Sequence, residues 1–329
     1  MTKMFFVRDQ KNKIDISSKM NIKFYFLLSI FLILFCITLT AQELKLPLEI
    51  KSGHLNSVWQ LNDSIKAKVF IETGFPKIVI NEAFANNRLL GLVQMEKASE
   101  DAYIVLWGNN NKIKVSYIIN DSLEINGKKE KIDAFVADFS TIKSWRDYDI
   151  IYPLRDLTGP IEINIKDGYM IVRKGIDALD PGFIVFNAKS DDKTKGLYIT
   201  TTLLVYDTLK TKEKLKGNFL LDLGAGNALF VNRNLPKVEK FVCHSDRMVL
   251  KDTTKFKPNP LNKLSIIIPD KIQLGNITLK KNFVIATKMF KSDNSSHYVG
   301  MIGNPFFANF IVIFDFKNNK VYMKPNSVL

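Results

Sequence analysis

The sequence predicts an all-β chain of two related β-barrel lobes with pseudo-twofold symmetry, behind an N-terminal signal sequence. Three observations predict it. Strand-forming residues dominate: 46% of the 329 residues are hydrophobic, 24 are Phe, and long runs with apolar residues every third or fourth position are scarce. A pattern recurs at an offset of about 150 residues, the mark of an internal duplication. An uncharged apolar run stands near the N-terminus behind a basic segment.

Residues 24–41, FYFLLSIFLILFCITLTA, follow Lys23 and close on the small residues Thr40 and Ala41. They read as a secretory signal cut near Ala41 or Gln42. Leu39, three before that cut, is not the small residue such sites prefer. The apolar run is also just long enough to span a bilayer, so an uncleaved anchor is the alternative. Met20-Asn-Ile-Lys offers a shorter basic start, which makes Met1–Lys19 an upstream extension. Cys36 stands behind the bulky Phe35, which argues against a lipoprotein acceptor. The expected division is 1–42 for extension and signal, 43–178 for the N-terminal lobe and 179–329 for the C-terminal lobe. The expected destination is the periplasm or the cell exterior, with membrane contact only if the signal is retained.

With the signal removed, Cys243 is the remaining cysteine, so neither an internal disulfide nor a cysteine zinc site is expected. The formal charge is +14, of which the segment up to Lys23 carries +4 and the rest +10. The lysines are scattered and no basic motif is interleaved with aromatics, so nucleic acid is not an expected partner. His54, His244 and His297 are far apart and form no metal-ligand spacing; each reads as a surface or loop residue. No metal and no cofactor is expected. No serine has the context of a nucleophile elbow. Gly224-Ala225-Gly226 lacks the Lys-Ser/Thr ending of a phosphate loop. Trp59, Trp107 and Trp145 all fall in the first lobe, where core packing is the commoner role and groove lining the alternative.

The repeat is read in three matched segments. IKAKVFIETGFPKIVINEAF (65–84) aligns with LKGNFLLDLGAGNALFVNRNL (215–235), so that Glu72 and Asp222 are equivalent, as are Gly74 and Gly224. LEINGKKEKIDAFVA (123–137) aligns with IQLGNITLKKNFVIA (272–286); each reads as strand, Asn-Gly or Gly-Asn turn, strand. IEINIKDGYMIV (161–172) aligns with IVIFDFKNNKVYM (311–323), again as hairpins with polar turns. The lobe boundary is placed at 174–182, KGIDALDPG, for its turn formers. Segments 189–196 and 252–260 read as loops, the second because of its prolines.

Two acids at equivalent places in a duplicated fold point to a site on the pseudo-twofold axis. Carboxylates a few ångströms apart cannot both ionise, so the pair shares a proton. One then activates a water while the other polarises a carbonyl. The glycine after each acid allows the tight turn that presents it.

At these residues the chain resembles the retropepsin-like aspartic peptidases, in a duplicated single-chain form found in exported bacterial proteins. FLLDLGAG (219–226) is similar to the family's strand ending in Asp-Thr/Ser-Gly-Ala. VGMIGNPFF (299–307) and the hairpin after it are similar to the family's hydrophobic-hydrophobic-Gly buttress. The resemblance runs from about Leu44 to the C-terminus and implies acid-protease-like lobes. It implies Asp222 and Glu72 as the catalytic pair, supported by Thr73, Gly74, Leu223, Gly224, Ala225, Ile302 and Gly303. It implies a peptide or protein substrate and a two-lobed monomer. Asp315, in the C-terminal hairpin, reads as structural. The chain departs from the pattern three times: Glu72 stands for Asp, Leu223 for Thr or Ser, and Pro153 for the glycine equivalent to Gly303. An inactive relative that keeps the fold as a peptide- or protein-binding module is therefore the alternative.

Overall fold

The computed structural model describes residues 43–51, 53–105, 112–176, 179–191, 196–207, 209, 212–249, 264–280, 283–288 and 297–326. The apolar run 24–41, Cys36, Trp107 and the loop at 252–260 lie outside these residues. Among the described residues no helix is long and apolar enough to cross a membrane.

The first strands are β1 (Leu44–Pro47), β2 (Glu49–Lys51), β3 (His54–Leu61) and β4 (Ile65–Glu72). Strands β3 and β4 form a hairpin around Asn62 and Asp63, both with positive φ, a conformation that Asn and Asp tolerate best after glycine. Burial along β4 alternates at first and then becomes continuous. Its end passes under a second layer, so both faces must be apolar. Next come β5 (Ile78–Asn81), a short helix Glu82–Phe84 running into a π turn, β6 (Met95–Lys97), β7 (Tyr103–Val105), β8 (Lys112–Ile125) and β9 (Lys128–Ala137). The turn between β8 and β9 is Asn126-Gly127, both with positive φ, as a two-residue hairpin turn requires. Strand β10 (Ile150–Pro153) inserts between β4 and β5, parallel to the first and antiparallel to the second. The hairpin of β11 (Ile161–Asn164) and β12 (Tyr169–Val172) follows.

The second half repeats this plan. Strands β13 (Ile184–Ser190), β14 (Leu197–Tyr206) and β15 (Lys212–Asp222) lead to β16 (Leu229–Asn232) and a helix, Pro236–His244. Then come β17 (Ser265–Ile267), β18 (Lys271–Leu274), β19 (Ile277–Lys280), β20 (Val284–Thr287) and β21 (Tyr298–Gly303). A one-turn helix, Asn304–Phe307, leads to β22 (Phe310–Asp315) and β23 (Lys320–Pro325). Strand β21 inserts between β15 and β16 as β10 does between β4 and β5. The order β14-β15-β21-β16-β20 thus matches β3-β4-β10-β5-β9. All six residues of β21 are buried, which its unbroken small and apolar sequence YVGMIG allows.

Two expectations need correction. The strand matching β9 is split into β19 and β20, and only the first pairs with β18; the second crosses to β16 and β17. Lys189 and Ser190, read as loop, end β13 and pair with β14. Pairing with β14 overrides their polar character.

Strands β1, β12, β11, β22, β23 and β13 run side by side and join the halves through the β11–β22 ladder. There Ile161 faces Phe314 and Asn164 faces Ile311. Shifting 161 and 164 by the repeat offset gives 311 and 314, so this ladder maps onto itself. The pseudo-twofold axis runs through its centre. Phe306, Phe307, Phe310 and Phe314 pack edge and face beside it, fully buried. Trp59 and Trp145 are core residues. Asp315 is buried and accepts hydrogen bonds from Asn318 N and Nδ2, closing the last hairpin turn.

Candidate functional site at the strand ends

Strands β4 and β15 end on Glu72 and Asp222, and each acid is held the same way. The Gly74 amide donates to Glu72 Oε1 at 2.9 Å, and the Gly224 amide donates to Asp222 Oδ1 at 2.8 Å. The structure brings the two carboxyls together at Gly224, where an added Cβ would lie 1.8 Å from Glu72 Oε2 and 3.1 Å from Asp222 Oδ1. Gly224 makes room for the longer Glu side chain. A Cβ at 224 would lie 1.8 Å from Glu72 Oε2, whereas a Cβ at 74 would lie 3.3 Å from Oε1. The extra methylene therefore carries the Glu72 carboxyl over onto the Asp222 loop.

That asymmetry sets how each carboxyl is pushed. Burial pushes the Glu72 carboxyl well above its ordinary range, and the neighbouring Asp222 pushes it further. Burial also raises Asp222, but amides and the Glu72 hydrogen bond favour its ionised form. Glu72 is 9% exposed, while Asp222 keeps more of its surface open. Both carboxyls are thus pushed up, Glu72 the further, and the pair holds a proton between them.

Thr73 is 1% exposed and reaches across the axis. Its hydroxyl donates to the Leu221 carbonyl at 2.9 Å and accepts from the Leu223 amide at 3.0 Å. Leu223 cannot return these bonds; its side chain is buried in the main core instead. One hydroxyl therefore does on one side what a symmetric site would do with two.

The buttress differs between the lobes. Gly303 lies opposite Asp222 in the β15–β21 ladder, with Ile302 fully buried beside it. A Cβ at 303 would meet Asn227 O at 2.2 Å and Ala225 O at 2.5 Å, so the loop rests directly on the glycine. Ala225 closes that loop: its amide donates to Asp222 O and its carbonyl accepts from the Asn304 amide. In the first lobe Pro153 takes the place opposite Glu72. Here Arg155 steadies the loop, its guanidinium donating to the Pro76 carbonyl.

One expectation fails at this site. His54 is not a peripheral loop residue: it opens β3, packs tilted against Phe70 with ring centroids 4.8 Å apart, and meets the Gly224 carbonyl through Nδ1 at 3.1 Å. The signal was present. A hairpin centred on Asp63 folds residue 54 back toward residue 72. Arg155 had no such signal. Among the described residues no cluster of His, Cys, Asp and Glu could hold a metal.

No protein-family model matches the chain. No curated protein matches it either. Solved structures do match, among them the crystal structure of an aspartic proteinase from Irpex lacteus. It shares 10% identity over 87% of this chain and 98% of its own, with a TM-score of 0.58. The fold is of the aspartic-proteinase type.

Proposed function

We propose that this protein is an aspartic-type endopeptidase of the retropepsin-like, duplicated single-chain form, with Glu72 and Asp222 as its acid pair. One observation carries the reading: two acids at equivalent strand ends meet at Gly224 in an aspartic-proteinase fold. The duplication within one chain supports a two-lobed monomer. The apolar run at 24–41 supports export and leaves retention at the membrane as the alternative. The substrate is a peptide or protein.

The asymmetry of the pair assigns the roles. Asp222, ionised and more open, takes a proton from a water as that water attacks the scissile carbonyl. Glu72, protonated, donates to the carbonyl oxygen as charge builds there. As the C–N bond breaks, the proton on Asp222 passes to the leaving amine and one hydroxyl of the gem-diol returns its proton to Glu72, which restores the starting state. The low-dielectric surroundings strengthen each of these interactions. Thr73, Gly74, Leu223, Gly224, Ala225, Ile302 and Gly303 hold the two loops.

Leu223 and Pro153 favour a second reading, a non-catalytic module that binds peptides in the same cleft. Incubation of the purified protein with an unbiased peptide library from acidic to neutral pH separates the two. Cleavage is expected at acidic pH and should vanish in Asp222→Asn. Peptide binding by a folded sample that cleaves nothing at any pH would establish the second reading.

A further inference from the structure

The second lobe's acid loop is clasped from the first lobe by the turn between β2 and β3. A Cβ built at Gly53 would lie 3.2 Å from the Gly226 Cα, so the two backbones touch. Asn304 Nδ2 donates to the Gly53 carbonyl at 3.2 Å and also to the Leu223 carbonyl. His54 completes the clasp at the Gly224 carbonyl. A carbonyl only accepts, so Nδ1 carries the proton and Nε2 is the nitrogen that titrates. The register shows that the imidazole has no counterpart in the second lobe. Asn56 pairs with Phe70 and Tyr198 pairs with Leu220, its counterpart. His54 therefore corresponds to Gly196, which has no side chain to offer.

We propose that His54 is a positioning residue for the acid pair: it holds the Asp222 loop through Gly224 and sets a titratable positive charge on the Asp222 side. The inference rests on reading Glu72 and Asp222 as the acid pair. The groups facing His54 are few. Lys51 lies directly opposite it on β2 and is exposed. The acid loops contribute Asp222 and, beyond it, the protonated Glu72. Phe70, with Tyr148 packed behind it, walls the ring, and Asn304 is neutral. Burial holds the imidazole below its ordinary value, while Asp222 and the Gly224 carbonyl pull it up. Linkage is mutual: an imidazolium beside Asp222 keeps that carboxylate ionised to lower pH, and the carboxylate keeps the imidazole charged to higher pH.

The test is an NMR titration of the His54 imidazole in the purified protein, assigned by the signal lost in His54→Gln. It reads the linkage whether or not the protein cleaves anything. Asp222→Asn should lower the His54 midpoint by about half a unit or more, because an attracting negative charge is gone. Glu72→Gln should move it less, since Glu72 already carries a proton. His244 and His297 serve as references. Midpoints that coincide in wild type and Asp222→Asn would overturn the proposal. So would a shift in Glu72→Gln as large as that in Asp222→Asn. Given cleavage, His54→Gln should shift the acidic limb of kcat/KM upward in pH, while His54→Phe should lower kcat as well by loosening the Gly224 carbonyl. An unmoved limb in His54→Gln would overturn the linkage while leaving the peptidase reading intact.

Discussion

At the scale of single residues, the chain accommodates Glu72 where the second lobe has Asp222 because a glycine lies across from it. The contact between the Glu72 carboxyl and Gly224 puts the added methylene to use rather than leaving the acids misaligned. The same burial has a stability consequence with a definite sign. A carboxyl whose folded pKa is raised stabilises the fold fully below its unfolded value near 4.5, and that contribution is lost as pH rises through the folded pKa. Thermal unfolding of wild type and Glu72→Gln across pH 4 to 7 measures this. The mutant should gain on the wild type as pH rises, by at most about 1.4 kcal/mol per pH unit. A difference that stays flat with pH would refute the assignment of the proton to Glu72.

At the scale of elements, the acid loops are positioned by strands threaded between others. Strand β10 lies between β4 and β5, and β21 between β15 and β16, so each acid stands where a parallel pair ends. Across the axis the loops are tied through Thr73, whose hydroxyl serves two backbone groups of the opposite lobe. Thr73→Val keeps the shape and leaves the buried Leu221 carbonyl and Leu223 amide without that partner. Denaturant unfolding should show a loss of about 1–3 kcal/mol, with Thr73→Ser recovering most of it. A neutral Thr73→Val would mean that the two groups find other partners and that the tie is dispensable.

At the scale of the whole molecule, the halves are joined by the sheet that carries the β11–β22 ladder, and the described strands from Leu44 onward belong to one compact unit. A charged cluster lies in this sheet. Glu162, 4% exposed, accepts from Arg173 Nε at 2.8 Å and from Tyr169 Oη at 3.1 Å. Removing the arginine strands a buried carboxylate. Arg173→Met should cost about 3 kcal/mol at neutral pH, since the guanidinium is itself partly exposed and sits at the weaker end of such pairs. The loss should shrink when Glu162→Gln is added. A double mutant no more stable than Arg173→Met would show that the arginine acts through packing instead.

The duplication, the hairpins at 123–137 and 311–323 and the pairing of Glu72 with Asp222 were legible because strand alternation, turn chemistry and a fixed repeat offset are local or periodic properties. Pro153 could likewise be matched to Gly303 by position alone. Other features depended on distances that no linear pattern encodes. In the second lobe the strand's two parts pair with different partners, β19 with β18 and β20 with β16 and β17. The accommodation of the Glu72 methylene required knowing that Gly224 would face it. Arg155 reaches Pro76 from the short 3-10 turn Leu154–Asp156 that follows β10. His54 stood in between: the hairpin placed it near residue 72, but its hold on Gly224 belongs to the docking of the other lobe. The sequence by itself determined which residues could share an axis. Tertiary packing decided which of them touch, how far each is withdrawn from water, and hence how far each carboxyl is pushed up.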